Sequence, residues 1–409
     1  MKLHLAGPPS SLFNSNIQIT GSKSESNRLL LLQALYPNIS IENLSNSDDA
    51  DVMRKGLKIS EGVIDIHHAG TAMRFLTGYY ASQEGKTVTL TGSQRMTERP
   101  VKILVDALLT LGAEIEYVNA VGYPPLRISG KKLTKNKVSL PANISSQYIS
   151  SLLLIAPSLE NGLELELMGE ITSVPYIKMT LALLDQMGIS TAFNGNLIQV
   201  QPKYTVSDCT IVVESDWSSA SYFYSIVALS EIGSEIKLES YKKDSLQGDS
   251  VLAHIYRDFG VETSFSTNEI VLKKVRKCEL DAITCDLSNA PDIAQTMAVT
   301  CLGLGVGCEL TGLHTLKIKE TDRLEAMQIE LSKFGAKVVV TDKILRLAPT
   351  QELVSEVAVN TYNDHRMAMA FGPLALKTSL TINDAEVVSK SYPDFWDDLE
   401  KLGFQLRKV

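Results

Sequence analysis

The sequence predicts an α/β fold built from six related units that divide naturally as three plus three. Two observations carry this. First, a short pattern recurs: an apolar helix end, a glycine, then a strand start. It reads Leu111-Gly112-Ala113-Glu114-Ile115 and returns as Met187-Gly188-Ile189, Phe259-Gly260-Val261, Phe334-Gly335-Ala336 and Leu402-Gly403-Phe404, with a weaker copy at Glu61-Gly62-Val63. Glycine suits the left-handed residue that ends a helix, and the alternation that follows, as in Ala336-Lys337-Val338-Val339-Val340, reads as strand. Any α/β protein has glycines after helices, but six copies at near-regular spacing exceed that expectation. Second, the 409 residues are 44% hydrophobic and 21% charged, with only 25 Gly and 14 Pro. That is an ordinary globular composition with no long disordered region, in a chain long enough for two or three domains.

The net charge of −8 speaks against a nucleic-acid or anionic-membrane partner, which requires a basic face. It leaves room for an anionic small molecule in a locally basic cleft. The five cysteines (Cys209, Cys278, Cys285, Cys301, Cys308) are odd in number and form no CxxC, so a reduced, cytoplasmic protein is expected. The N-terminus is too polar for a signal peptide, and the most apolar run, Ile149 to Pro157, is far short of a ~20-residue membrane span. The six histidines form no metal-binding spacing, so no metal is expected. Gly303-Leu304-Gly305-Val306-Gly307 reads as a small-residue turn, and the lysine runs at 131–137 and 273–277 read as solvated loops.

Six segments depart from the plain repeat. In Gly21-Ser22-Lys23-Ser24-Glu25-Ser26-Asn27-Arg28, serines are expected to cap a helix whose apolar face is Leu29, Leu32 and Leu35. A helix N-terminus attracts anions, and Lys23 and Arg28 flank this one. His68-Ala69-Gly70-Thr71-Ala72-Met73-Arg74 places small residues at a helix start, where a ligand can approach the backbone. Arg95-Met96-Thr97-Glu98-Arg99-Pro100 leads into a helix over 101–111, with Pro100 suited to its first position. Ser145-Ser146-Gln147-Tyr148 caps the apolar run that follows. In Lys317-Ile318-Lys319-Glu320-Thr321-Asp322-Arg323, Thr321 is a candidate cap, while Lys319 and Glu320 offer a cation and a carboxylate for proton transfer. Asn363-Asp364-His365-Arg366 opens a small-residue helix, and a lone His there is more often structural than a ligand. Lys390 and Asp292 stand at similar junctions.

Each segment taken singly also reads as a capped helix, a tight turn or a solvated charged loop. Together they gather Lys23, Arg28, Arg74, Arg99, Arg323, Arg366 and Lys390 at helix starts in a chain of negative net charge. The economical explanation is a cleft for one or two substrates bearing several negative charges, neutralised by Lys, Arg and helix dipoles.

These segments closely resemble the 5-enolpyruvylshikimate-3-phosphate synthases of the enolpyruvyl transferase family, along nearly the whole chain. The shared stretches include GSKSxSNR at 21–28, SDD at 47–49, AGTAMR at 69–74, RMxERP at 95–100, SSQ at 145–147, SSASYF at 218–223, QGD at 247–249, KETDRL at 319–324, YNDHRMAM at 362–369 and KSYPDF at 390–395. The resemblance implies two similar domains, each an inside-out α/β barrel of three α/β units, with the active site in the cleft between them. One domain would be 22–214 and the other 1–21 with 215–409, with hinge crossings near 21 and 214. The implied reaction moves the enolpyruvyl group of phosphoenolpyruvate to the 5-hydroxyl of shikimate 3-phosphate and releases phosphate through a tetrahedral intermediate. Lys23, Ser24, Arg28, Ser145, Ser146, Gln147, Ser173, Tyr176, Asp292 and Lys319 would bind shikimate 3-phosphate. Lys23, Gly70, Arg99, Gln147, Arg323, Arg366 and Lys390 would bind phosphoenolpyruvate. Lys23, Asp292 and Glu320 are the candidate acid and base groups, with their individual steps unassigned. No cofactor is implied, and a monomer is expected.

Three residues depart from the family pattern, and Asp49, His68 and Thr315 are secondary site candidates. His68 stands where the family usually has Asn, which predicts an extra pH dependence of phosphoenolpyruvate binding. Thr315 stands where Asn usually contacts the shikimate ring, and Phe75 replaces a usual Pro, while the retained Gly70 favours glyphosate sensitivity. Two rivals remain in view. The sister transferase acting on UDP-N-acetylglucosamine commonly uses a Cys in its first half, where this chain has none. A catalytically dead paralogue that binds a phosphorylated metabolite is opposed by the presence of all the acid, base and cationic residues.

Overall fold

The computed structural model describes all residues except Ile144, Glu170, Thr172 and Ser173, so the candidate Ser173 lies outside the described residues. The chain forms two compact units, Gly21–Val213 and Met1–Thr20 with Glu214–Val409.

One strand pattern recurs in five four-stranded sheets. Two parallel strands are followed by an antiparallel hairpin, in the spatial order first, second, fourth, third. In the unit Gly21–Val213 the first such sheet pairs Glu61–Asp65 parallel with Thr87–Thr91, then adds Leu126–Ser129 and Glu114–Tyr117 antiparallel. The second sheet repeats this with Lys137–Pro141, Leu163–Met168, Leu197–Val200 and Thr191–Asn194. The other unit holds three more. In one of them the third and fourth strands are Gln405–Lys408 and Leu3–Ala6, so the two chain termini complete a single repeat.

The sixth sheet is shorter, with Cys209–Val212 parallel to Ile39–Glu42 and no hairpin among the described residues. That corrects one marker of the repeat. Gly112, Gly188, Gly260, Gly335 and Gly403 all have positive φ and each leads into a hairpin strand. Gly62 lies inside the strand Glu61–Asp65 and marks no hairpin among the described residues. Gly305 ends the helix Ala294–Leu304 in the left-handed conformation, as its turn-like sequence predicts.

Each repeat has a helix buried on nearly every side; in four sheets it joins the two parallel strands, whereas Lys23–Leu35 and Trp217–Leu229 run between strands of different sheets. Trp217–Leu229 and His365–Phe371 have no exposed residue, and Leu29 to Leu32 are all inside. A helix apolar all round belongs in a core. These helices pack on one another within each unit. Helices Gly70–Ala81 and Ser146–Ile155 approach so closely that a Cβ on Gly78 would stand 2.4 Å from Ser151 Oγ.

Helix starts differ in detail from expectation. Lys23 is itself the first residue of the helix Lys23–Leu35, and Ser22 makes no side-chain cap bond. Pro100 lies before the cap residue Val101 of the helix Lys102–Leu111. Lys274 is no solvated loop residue. It ends the strand Glu269–Lys274 on the same inward face as Ile270 and Leu272, and its ammonium donates to Ala228 O at 2.6 Å and Phe259 O at 2.7 Å. Burial lowers its pKa to about 8. No helix among the described residues is long and apolar enough to cross a membrane.

Candidate active site

The parallel pair in each repeat puts two strand C-terminal ends side by side, and the chain leaves both at the same edge. The first exit leads to the N-terminus of the buried helix, where unpaired N–H groups and the dipole favour anions. Lys23, Gly70, Ser145, Ser146, Gln147, Asp292 and Arg366 lie at or beside the starts of these buried helices, while Arg99, Tyr176, Lys319, Glu320, Arg323 and Lys390 lie after second strands and Asp49 after Ile39–Glu42. Residues scattered over 368 positions of sequence therefore fall at equivalent points of one repeated motif.

In the unit Gly21–Val213, Lys23 Nζ lies 3.4 Å from Asp49 Oδ2, and His68 Nε2 lies 3.6 Å from Asp49 Oδ1. Asp49 is nearly buried and shared by the two, so Lys23 has a partner and His68 is coupled to it. Neighbouring His67 places its Nδ1 2.6 Å from His68 Nδ1. The Arg99 guanidinium lies across Gly70, where a Cβ would stand 2.6 Å from its NH1, and its buried Nε has no partner among the described residues. Gly70 is thus required by the close approach of a cation. Gln147 donates to Thr71 Oγ1 at 3.1 Å, while Ser145 Oγ caps its backbone N–H. Gly70→Ala is expected to push Arg99 aside and weaken anion binding at this helix start about tenfold, about 1.4 kcal/mol; titration of wild type and variant with inorganic phosphate checks this.

Arg28 is spent inside its own unit. It donates to Thr180 Oγ1 at 2.8 Å, Ser150 Oγ at 2.9 Å, Ser24 O at 2.7 Å and Tyr176 O at 3.4 Å, and its guanidinium lies over the Phe75 and Tyr176 rings. Burial lowers its pKa to about 10, so it stays charged at neutral pH. Phe75, the departure from the family's Pro, is part of this packing.

In the other unit Arg323, 2% exposed, binds three carboxylates. Its Nε donates to Asp364 Oδ2 at 2.7 Å, its NH1 to Asp292 Oδ1 at 2.9 Å and its NH2 to Glu320 Oε2 at 2.8 Å. Burial alone would lower the Arg323 pKa, but the three carboxylates outweigh it and raise the pKa further. Asp292 is also approached by Lys319 at 3.5 Å and by Arg366 at 3.3 Å. Lys390 Nζ donates to Asn363 O at 2.6 Å and Asn363 Oδ1 at 2.8 Å. Thr315 Oγ1 is buried without a partner among the described residues. Thr321 does not cap the following helix; Asp322 does, accepting from Leu324 N and Glu325 N at 3.1 Å each. A carboxylate two residues before the first free N–H groups outcompetes the hydroxyl.

The structure thus brings Lys23, Asp49 and His68 together in one cluster, and Asp292, Lys319, Glu320, Arg323 and Arg366 in another. Three members were missed in the sequence: Asp364, which anchors Arg323 and caps the helix of Arg366; Ser218, within 3.3 Å of Arg366 NH2; and Asp249, which accepts a short hydrogen bond from Ser218. All three sit in quoted motifs, YNDHR, SSASYF and QGD. Among the described residues no cluster of His, Cys, Asp and Glu has the geometry to hold a metal ion.

Residues 54–399 match the family model for EPSP synthase (3-phosphoshikimate 1-carboxyvinyltransferase). A 3-phosphoshikimate 1-carboxyvinyltransferase of Bacteroides fragilis is 46% identical over 411 residues, covering 99% of this chain and 98% of its own. One from Histophilus somni is 36% identical, covering 96% and 98%. The EPSP synthase structure from Acinetobacter baumannii superposes over the whole of both chains with a TM-score of 0.81 at 20% identity, which speaks for the fold.

Proposed function

The chain belongs to the EPSP synthase family and carries 3-phosphoshikimate 1-carboxyvinyltransferase activity, and from that premise we propose how its two cationic clusters divide the work. The substrates are phosphoenolpyruvate and shikimate 3-phosphate. Addition joins the 5-hydroxyl oxygen to C2 of phosphoenolpyruvate while the hydroxyl proton leaves to a base and another proton reaches the C3 methylene. Elimination then takes a proton from C3 and expels phosphate. The protein must neutralise two carboxylates and two phosphates and hold groups that give and take those protons.

The observation that carries the reading is the Arg323 hub, which pins Asp292 and Glu320 in fixed orientations beside the cations Lys319 and Arg366. Fixed carboxylates next to fixed cations are a preorganised site for proton transfer with charge stabilisation. Asp292, Glu320 and Lys23 are the proton-transfer groups. Arg323, Arg366 and Lys390, with Lys23, Gly70, Arg99 and Gln147, bind phosphoenolpyruvate, whose carboxylate and phosphate suit guanidinium forks. Ser24, Arg28, Ser145, Ser146, Gln147, Tyr176 and Lys319, with Asp292 toward the ring hydroxyl, serve shikimate 3-phosphate; Ser173 is assigned there from the family resemblance. Arg28, with four donors engaged inside its unit, acts mainly by shaping the floor under Ser24 and Tyr176.

The test is phosphate release from both substrates, without added metal. Release that requires both substrates supports the reading. Release with UDP-N-acetylglucosamine in place of shikimate 3-phosphate, or binding of shikimate 3-phosphate without turnover, overturns it. We further place the enzyme in the cytoplasm as a monomer, and light scattering at the chain mass of 44.8 kDa checks the latter.

A further inference from the structure

Asp249 is a buried carboxyl group that the assignments above leave without a role. It lies in the 3-10 turn Gly248–Val251, after the second strand of its repeat, and is 4% exposed. Its Oδ2 accepts from Ser218 Oγ in a short hydrogen bond, and Ser218 Oγ in turn accepts from Arg366 NH2 at 3.3 Å. Its Oδ1 is buried with no hydrogen-bond partner among the described residues. A carboxylate oxygen stripped of water and donors is costly, and a proton relieves that cost.

The surrounding charges act in the same sense overall. Asp292 faces Asp249 from the turn Pro291–Ile293 and Asp216 faces it from the cap of Trp217–Leu229, against Arg366 from the helix His365–Phe371. Burial first, then the Asp292 charge, raises the Asp249 pKa to about 7. Arg366 already shares its charge with Asp292 at 3.3 Å. A second ionised carboxylate one hydroxyl away would draw further on that guanidinium.

We propose that Asp249 is a positioning residue for phosphoenolpyruvate: neutral, it holds Ser218 against Arg366 and leaves the guanidinium charge available to the substrate, and ionised, it competes with the substrate for Arg366. This rests on the assignment of Arg366 to phosphoenolpyruvate. The sign follows from linkage. An anion favoured by the protonated form binds less well as pH rises through the Asp249 pKa. The effect belongs to KM for phosphoenolpyruvate rather than to kcat.

The experiment measures KM for phosphoenolpyruvate from pH 6 to 8.5 in the wild type, Asp249→Asn, His68→Asn and Arg366→Lys. Asparagine keeps the acceptor for Ser218 and cannot ionise. The expected result is a rise of about thirtyfold in the wild type and in His68→Asn, as for loss of one required proton with a pKa of about 7 on going to pH 8.5, and a much flatter profile in Asp249→Asn. The comparison cancels the substrate's own titration. His68→Asn separates this effect from that of the imidazole on Asp49. An Asp249→Asn profile that tracks the wild type overturns the inference alone, provided Arg366→Lys raises KM. Unchanged KM in Arg366→Lys overturns the assignment and the inference with it. Should Asp249→Asn fail to fold, the His68→Asn profile decides, since a flat one is incompatible with a titrating Asp249.

Discussion

Lys23→Met is expected to lower kcat at least about 10³-fold while the protein stays folded. A charged group that stabilises the transition state and moves a proton contributes on that scale. Methionine preserves the aliphatic stem, so helix packing at Lys23 is retained. What is lost is the ammonium, 16% exposed, and its 3.4 Å contact with Asp49. Asp49 is left with His68 Nε2 at 3.6 Å. Losing one partner of a mostly buried carboxylate costs about 1–3 kcal/mol. Phosphate release and thermal melting of the same sample separate the two effects. Retained turnover would remove Lys23 from the chemistry.

Arg323→Met should cost more stability than any other single change in the site. It leaves Asp364 fully buried without its strongest partner and strips Asp292 and Glu320 of their shared donor. Removing one member of a buried ion pair typically costs 3–5 kcal/mol. For a unit of this size that lowers the melting temperature by on the order of 10 °C. Arg323→Lys should recover only part, because one ammonium cannot serve three carboxylates in the geometry of a planar fork. Calorimetry of the two variants checks this order. Equal melting temperatures for Met and Lys would show that the fork geometry does not matter.

Much of the fold was legible because the glycine markers report local backbone geometry. A helix must end, and a left-handed residue ends it cheaply whatever surrounds it. Gly62 misled because its neighbours imitate the pattern inside a strand, and only the sheet pairing shows that the sixth repeat has no hairpin among the described residues. Lys274 misled for the opposite reason. Its run of charges reads as solvated, whereas its place in the alternation with Ile270 and Leu272 puts it inside. Helix caps such as Ser145 and Asp364 were readable to within a residue or two, and the errors at Pro100 and Thr321 are of that size.

The family, the α/β repeat and the types of residue at the strand exits are legible in the chain, since motifs such as KETDRL and NDHRMAM are contiguous and their chemistry is local. Which partners those residues take depends on the folded arrangement. Arg323 and Asp364 are 41 positions apart, and Ser218 and Arg366 are 148 apart. The physical reason is that a guanidinium or carboxylate is defined by what surrounds it. Arg28 satisfied inside its unit, Arg323 shared by three carboxylates, Asp249 burying an oxygen without a partner among the described residues and Arg99 lying on Gly70 follow from burial and from distances between repeats, which no local spacing encodes.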